Sequence, residues 1–345
     1  MHMADALLSP AIGGTMWAAT AAGIAACAKK VQKDLDDSKI PLMGVLGAFI
    51  FAAQMINFTI PATGSSGHLG GGMILAILLG PCAAFLTIAS VLTVQAMFFA
   101  DGGLLALGCN IFNLGVFPCF IAYPFIYRPI VGSTPNPTRI AIGATLGGII
   151  GLQLGALGVV FETHLSGISE LPLKAFLSAM LPIHLGIGLV EGLVTTAVVT
   201  FVWKARPEIL QYSALSRPLG NLGLKKVLIG LGIAAVVTGG ALSWFASSFP
   251  DGLEWSMAKT SGKEELEAPA SRIYHLLAGI QEKTAFLPDY GFKNSGEEVA
   301  ASGETAPSWP AVDTGTTTAG LVGGGLTLAL AVVIGLLFRR RKQTL

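Results

Sequence analysis

The sequence has very little charge. Charged residues make up only 12% of its 345 residues, whereas hydrophobic residues make up 52%. A soluble domain carries about 25% charged residues, so this composition is typical of a polytopic membrane protein. The formal net charge is +1, and no basic stretch is interleaved with aromatic residues. We therefore expect membrane lipid, and no nucleic acid, among its partners.

Motifs of soluble catalysis are also missing. The sequence contains no GxxxxGK[ST], HExxH or GxSxG pattern, so it gives no sign of an ATPase, protease or hydrolase domain, and we expect no enzyme activity.

The sequence has four cysteines and no CxxC pair, and all four lie in apolar segments: Cys27, Cys82, Cys109 and Cys119. We expect buried thiols there, not disulfides or a zinc site.

Long apolar runs dominate what is present. They predict nine membrane spans, at residues 11–28, 41–58, 73–79, 82–99, 104–127, 138–161, 174–203, 227–247 and 318–338. Positive residues follow the first span and lie near Arg128, Arg139 and Lys204, and cytoplasmic loops are enriched in Lys and Arg. This pattern predicts an all-α multi-pass bundle in the cytoplasmic (inner) membrane of a bacterium or archaeon, with its N-terminus outside.

The composition divides the chain into two modules. We predict a first membrane domain at 1–205, a cytoplasmic linker at 206–226, and a second module at 227–345 with two spans around an outer loop. Residues 249–317 of that module are polar, with 11 Asp or Glu against 5 Lys or Arg. An acidic loop of this kind could gather cations or gate a site, although such loops are usually only solvated.

The loop at 61–72 differs from the others because it is rich in Gly, Ser and Pro and carries no charge. Bare backbone is costly in lipid, so we expect this loop to fold back into the protein. We also expect an outside loop from Glu162 to Glu170.

The N-terminus offers a metal chelate. Met1, whose α-amino group we expect to be free, is followed by His2. The amine, the deprotonated His2 amide and the His2 imidazole Nδ1 together supply three nitrogens in one plane, which suits Ni(II) or Cu(II). His68, on the uncharged loop, is the expected fourth donor. Binding of this kind releases protons. The alternatives are that His2 is only a second residue and that His68 only caps a helix.

Polar residues near the outer ends of the spans could orient these imidazoles. They are Gln54, Asn57, Ser66, Asp101, Asn110, Asn113, His184 and Glu191. Asn110 and Asn113, three residues apart, share a helix face, and so do His184 and Glu191. Ionisable groups within a span are functional by default, but Asn and Gln also form ordinary hydrogen bonds between helices.

Four stretches together resemble a known family, the CbiM/NikM substrate-binding component of energy-coupling factor (ECF) cobalt/nickel transporters. They are residues 1–10 (MHMADALLSP), 56–71 (with INF and SGHLGG), 99–113 (with FADGGLLA and NIFN) and 184–192 (HLGIGLVEG). The resemblance implies a seven-helix core in which Met1, His2 and His68 hold the ion. Ala4 and Ala6 depart from the family pattern without removing a ligand.

The second module also carries a likeness. Residues 248–254 (SFPDGLE) resemble the PDGLE motif of the small companion subunit of these transporters (NikN/CbiN-like), and Leu287–Tyr290 fits the end of its loop. The chain is thus similar to a fusion of the two subunits. This implies nickel or cobalt as transported substrate, no organic cofactor, and separate coupling (T) and ATPase partner subunits. Ala18, Ala22 and Ala26 form a small-residue stripe that could contact the coupling subunit or simply allow close helix packing.

Two other functions remain open at this stage. One is an ion-coupled secondary carrier that uses His184 and Glu191 and works without an ATPase. The other is an intramembrane metalloenzyme that uses His68, His184 and Glu191. The choice between nickel and cobalt also stays open, although planar nitrogen coordination favours nickel.

Overall fold

The computed structural model describes residues 2–34, 37–215, 217–220, 222–293 and 309–338. In this part of the chain the protein is a bundle of helices with one two-stranded antiparallel hairpin. The predicted ligand Met1 and the predicted cytoplasmic anchor Arg339–Lys342 lie outside the described residues.

The first module contains seven main helices and the hairpin. They are α1 (Pro10–Asp34), α2 (Lys39–Gln54), β1 (Phe58–Ile60), β2 (Ser65–Gly67), α3 (Gly72–Leu79), α4 (Pro81–Phe98), α5 (Leu107–Val131), α6 (Pro137–Ser166) and α7 (Leu173–Ala205). The middle of α5, Phe112–Tyr127, is π-helical and contains Pro118 and Pro124. Proline has no N–H to donate, so it interrupts the α-helical bonding pattern.

In the described residues, the second part of the chain adds five α-helices. They are α8 (Pro207–Ala214), α9 (Lys225–Gly240), α10 (Gly252–Ser261), α11 (Arg272–Thr284) and α12 (Thr314–Leu337). The predicted linker at 206–226 therefore contains a helix. The predicted span at 227–247 is α-helical only to Gly240 and continues as a 3₁₀ turn, Leu242–Phe245. The polar segment that was expected to be a loop holds α10 and α11.

Six of the described helices are long and apolar enough to cross a membrane: α1, α4, α5, α6, α7 and α12. Their outward faces expose large apolar side chains such as Phe161, Leu185 and Leu189, as a lipid-facing surface requires. This confirms the helical, multi-pass membrane class. Helix α3 has 8 residues, and α2 and α9 have 16 each. A crossing needs about 20 residues, so the count of nine spans and the orientation of the termini stay predictions.

The outside loop predicted to begin at Glu162 begins later. Helix α6 starts at Pro137, where Asn136 accepts from Arg139 N at 2.9 Å, and runs to Ser166 before it ends at Gly167. Glu162 is buried within this helix. The prediction was wrong because the apolar run ends at Phe161 and the charged residue that follows was read as solvated.

The second module packs directly on the first. Helix α12 lies along α2 and α9, and α10 lies against the N-terminal half of α7. Strands β1 and β2 pair with Phe58 opposite Gly67 and Ile60 opposite Ser65. This hairpin and the loop after it bring His68 under α10, at the place where the two modules meet.

Candidate metal centre

The N-terminal segment is fixed by the start of α5. Met3 N donates to Asn110 Oδ1 at 2.8 Å, and Asn110 Nδ2 donates back to Met3 O at 3.3 Å. Gly103 N also donates to Met3 O, at 2.9 Å, and Ala106 N donates to Asp5 Oδ1 at 3.0 Å. These bonds fix the backbone that follows His2.

The His2 ring lies between an acid and a second imidazole. Its Nδ1 donates to Asp101 Oδ1 at 2.8 Å. Its plane stacks on His68 with a centroid distance of 4.7 Å and an interplanar angle of 22°. The predicted chelate uses Nδ1, so it requires this ring to turn about Cβ–Cγ, away from Asp101. His2 Nε2 is buried and makes no hydrogen bond within the described part of the chain.

His68 follows strand β2 directly. Its Nδ1 donates to Leu69 O at 3.0 Å, which leaves Nε2 as the nitrogen with a lone pair for a metal. That nitrogen lies 3.9 Å from Asp251 Oδ2 in the second module. The side chains of His2 and His68 are 5% and 7% exposed, so the site is enclosed.

The loop that carries His68 is held from two helices. Glu191 of α7 accepts from Gly70 N at 2.9 Å and from Gly71 N at 3.0 Å, and Gln54 of α2 donates to Gly70 O at 2.8 Å. Gly71 has φ +75°, and a Cβ there would lie 2.6 Å from Ile50 Cγ2. Only glycine fits this turn, which lets the backbone amides reach Glu191.

Residues 247–290 of the second module cover the site, and we call them the outer cap. The cap is joined to the hairpin through backbone atoms: Ser247 N donates to Asn57 O at 2.7 Å, and Ser66 N donates to Pro250 O at 2.8 Å. Ser66 Oγ adds a bond to Phe249 O at 2.7 Å. Ser66 and the backbone carbonyl of Asn57 thus dock the cap on the first module.

A second set of bonds joins the cap to the N-terminal side of the site. The hydroxyl of Tyr290 donates to Asp101 Oδ2, and Asp289 N donates to Phe99 O at 2.8 Å. Gln281 Nε2 donates to Gly102 O at 2.8 Å, and Tyr274 Oη donates to Leu8 O at 2.7 Å. The cap therefore contacts both predicted ligand segments.

The charges at the site are set by burial and by these contacts. Burial lowers the pKa of His68 to about 3, so its imidazole is neutral at pH 7. Burial opposes ionisation of Asp101, but the contacts from His2 and Tyr290 outweigh it and hold the pKa of this carboxyl well below its usual range. A neutral imidazole and an ionised carboxylate are the forms that bind or orient a metal.

Two predicted residues lie elsewhere or act differently. Asn113 does not share the environment of Asn110; its Nδ2 donates to Glu162 Oε2 at 2.7 Å, on α6. His184 donates from Nδ1 to Met180 O at 2.8 Å. With His68 and Gly252, His184 lines a small enclosed cavity.

The structure thus brings together His2, His68 and Asp101, and it places Gln54, Asn110 and Glu191 on the backbone that carries them. Within the described ranges, no three His, Cys, Asp or Glu side chains are grouped so that they could hold a metal. The sequence-based site left out Tyr290 and Asp251. The LPDY and PDGLE stretches that contain them were noticed, but nothing in the local sequence indicated that they lie close to Asp101 and His68.

Comparison with known proteins agrees with this architecture. Residues 2–209 match the family described as "Cobalt uptake substrate-specific transmembrane region" (CbiM), and residues 225–340 match the PDGLE domain. A putative fused nickel transport protein from Archaeoglobus fulgidus is 31% identical over 97% of this chain and 98% of its own length. The fused nickel transport protein of Rhodobacter capsulatus is 31% identical over 84% of this chain and 88% of its own length.

A solved structure is also similar. The crystal structure of a truncated transition metal transporter shares 33% identity with a TM-score of 0.53, and the match covers 59% of this chain and 99% of that one. The fold and these matches define a multi-pass membrane transport component, not an enzyme. The chain belongs to the CbiM family, and it carries a PDGLE domain in the same polypeptide.

Proposed function

We propose that this protein captures a nickel or cobalt ion on the outer side of the membrane and delivers it inward, as the substrate-specific component of an ATP-driven ECF transporter. The observation that carries the proposal is the stacked pair of His2 and His68, buried under the outer cap. The His2 ring is hydrogen-bonded to a carboxylate and the His68 ring to a backbone carbonyl. Separate coupling and ATPase subunits would supply the driving force.

In this proposal the ion is bound by the Met1 amine, the His2 amide nitrogen and the imidazoles of His2 and His68. When the metal enters, the His2 ring would turn Nδ1 from Asp101 to the ion, and Nε2–H on the other edge of the ring would then donate to Asp101. The full-length relatives named as nickel transport proteins make nickel the first ion to test.

Capture from outside is supported by where the charges lie. Arg139 lies at the start of α6, Lys204 at the end of α7 and Lys225 at the start of α9. His68, on which His2 stacks, lies instead beside the N-terminal half of α7, where it lines a cavity with His184. Positive residues at one end of a bundle favour a cytoplasmic location for that end. The ion would then enter beneath the outer cap.

Uptake experiments separate this function from a secondary carrier. Cells that express the chain with its coupling and ATPase subunits should accumulate nickel or cobalt, and an ATPase variant that cannot hydrolyse ATP should abolish uptake. The His184 and Glu191 pair of a self-sufficient carrier would instead support undiminished uptake in cells that lack the partner subunits. That result would overturn the ATP-driven mechanism.

A further inference from the structure

The outer cap brings one acid to the metal-binding nitrogen of His68. Asp251 Oδ2 lies 3.9 Å from His68 Nε2, and its side chain is 14% exposed. The distance is too long for a hydrogen bond between the two atoms. One ion can reach both atoms, because a first-row divalent metal lies about 2.0–2.1 Å from imidazole nitrogen and about 2.0–2.2 Å from carboxylate oxygen, and 3.9 Å is less than the sum of these bond lengths.

The two oxygens of Asp251 have different environments. Oδ1 accepts from Leu253 N at 2.8 Å and from Glu254 N at 2.9 Å, which caps the start of α10. Glu254 Oε2 accepts in return from Asp251 N at 2.8 Å, so the pair forms a capping box. The N-terminal cap of helix α10 therefore uses Oδ1 and the backbone of Asp251, whereas Oδ2 is the oxygen that faces His68.

Glycine at the next position brings the carboxylate this close. A Cβ on Gly252 would lie 2.8 Å from Ile183 Cγ2, 3.0 Å from Ile187 Cδ1 and 3.2 Å from His184 Cε1. A larger residue would push the first turn of α10 away from α7 and carry Asp251 with it. The sequence Asp251-Gly252 therefore sets both the start of the helix and its distance from the site.

We propose that Asp251 is a metal ligand that the second module supplies, with Oδ2 binding the nickel or cobalt ion outside the plane of the four nitrogen donors, beside His68 Nε2. This inference rests on the proposed function, because it takes His68 as a ligand. The carboxylate provides an anionic oxygen donor beside the nitrogen donors. An oxygen donor suits a divalent ion that arrives with water ligands, and cobalt more than planar nickel.

The test uses the full-length protein in detergent and separates ligation from helix capping. Asn and Ser cap helices about as well as Asp does. The variants Asp251→Asn and Asp251→Ser should therefore keep α10 but lose the carboxylate. The control Glu254→Gln removes a charge three residues away and keeps the capping box.

Binding of Ni²⁺ and Co²⁺ is measured by isothermal titration calorimetry, and the bound ion by X-ray absorption. Loss of Asp251 should weaken binding by at least about tenfold and remove one oxygen neighbour at bonding distance, while Glu254→Gln binds as the wild type does. Equal unfolding midpoints of the metal-free proteins show that the variants fold. Unchanged affinity and an unchanged absorption spectrum in both Asp251 variants would overturn the inference.

A His68→Ala variant distinguishes the two possible failures. If His68→Ala loses metal and the Asp251 variants do not, the proposed function stands and the ligand assignment to Asp251 is wrong. If His68→Ala keeps full affinity, the proposed metal site itself is wrong.

Discussion

The hydroxyl of Tyr290 donates to the carboxylate of Asp101, across the junction of the two modules. Asp101 in turn accepts from His2 Nδ1 at 2.8 Å. Tyr290 also stacks on Phe99, with a centroid distance of 5.3 Å, so its ring is held in place. The second module therefore reaches the predicted ligand His2 through one intervening carboxylate.

Removing this hydroxyl should weaken metal binding. In Tyr290→Phe the ring still packs on Phe99, but Asp101 loses a donor and is free to move with His2. We expect nickel affinity to fall by about tenfold, which is the smallest loss typical of removing a group that orients a metal ligand. Titration calorimetry measures the loss.

Tyr274→Phe is the matched control for that variant. It removes a second hydroxyl that the outer cap donates to the first module, here to Leu8 O. Both variants should lose similar stability, about 1 kcal/mol for one hydrogen bond, but Tyr274→Phe should keep its affinity. Equal losses of affinity would show that Tyr290 acts only by holding the outer cap in place.

Glu191 should matter for metal binding because it holds the loop of His68. Its carboxylate accepts from Gly70 N and Gly71 N. In Glu191→Gln an NH2 group replaces Oε1, so Gly71 N keeps only its longer contact, 3.2 Å to the remaining oxygen, and both amides lose a charged acceptor, at a cost of about 1–3 kcal/mol. We expect a lower unfolding midpoint and weaker metal binding.

The control is Glu162→Gln, which alters another buried carboxylate, one that contacts Asn113 and not the loop. This variant should lose stability and keep its metal affinity. An affinity loss as large as that of Glu191→Gln would contradict a specific role for the loop contact.

The metal-free protein should lose stability as the pH falls below about 6.5. The pKa of His68 is about 3 in the folded state, whereas an unfolded histidine titrates near about 6.5. Between these values the unfolded chain binds more protons, so the stability that neutral His68 contributes is complete above about 6.5 and is lost as the pH falls through this window. The unfolding midpoint of His68→Gln should therefore drop less between pH 7 and pH 5 than that of the wild type. Equal drops in the two proteins would show that His68 does not cause the loss of stability.

The exposed small-residue face of α1 should be needed for assembly and not for metal binding. Ala18, Ala22 and Ala26 are exposed in this chain, and small residues let helices approach closely. Ala22→Leu should reduce co-purification with the coupling subunit while nickel affinity stays unchanged. Ala197→Leu, on an exposed position of α7, serves as the control and should leave co-purification intact.

Much of the fold could be predicted because apolar runs and positive loops follow directly from the properties of the membrane. The buried, irregular backbone around His68 was also predictable, because an uncharged loop rich in glycine cannot lie bare in lipid. Helices α10 and α11 were not predicted. Their polar sequence resembles a solvated loop, and their fixed positions come from backbone contacts such as Ser66 with Pro250 and Gln281 with Gly102.

For the site, the types of residue and their approximate depth in the membrane could be predicted, but the residues that each of them contacts could not. Asn110 and Asn113 are three residues apart and still contact different elements, since one meets the N-terminal segment and the other meets Glu162. Tyr290 and Asp251 are far from the first module in sequence, and only the tertiary packing shows that they reach it. The ligand set of Met1, His2 and His68 stays a prediction.

Adding one residue before Met1 tests the central claim most directly. The extension moves the α-amino group out of the proposed chelate and leaves every described side chain unchanged. Nickel and cobalt binding to the purified protein is measured by titration calorimetry, with the same residue added at the C-terminus as the control. The account predicts that the N-terminal extension abolishes high-affinity binding and that the control binds normally. Unimpaired binding by the extended protein would contradict it.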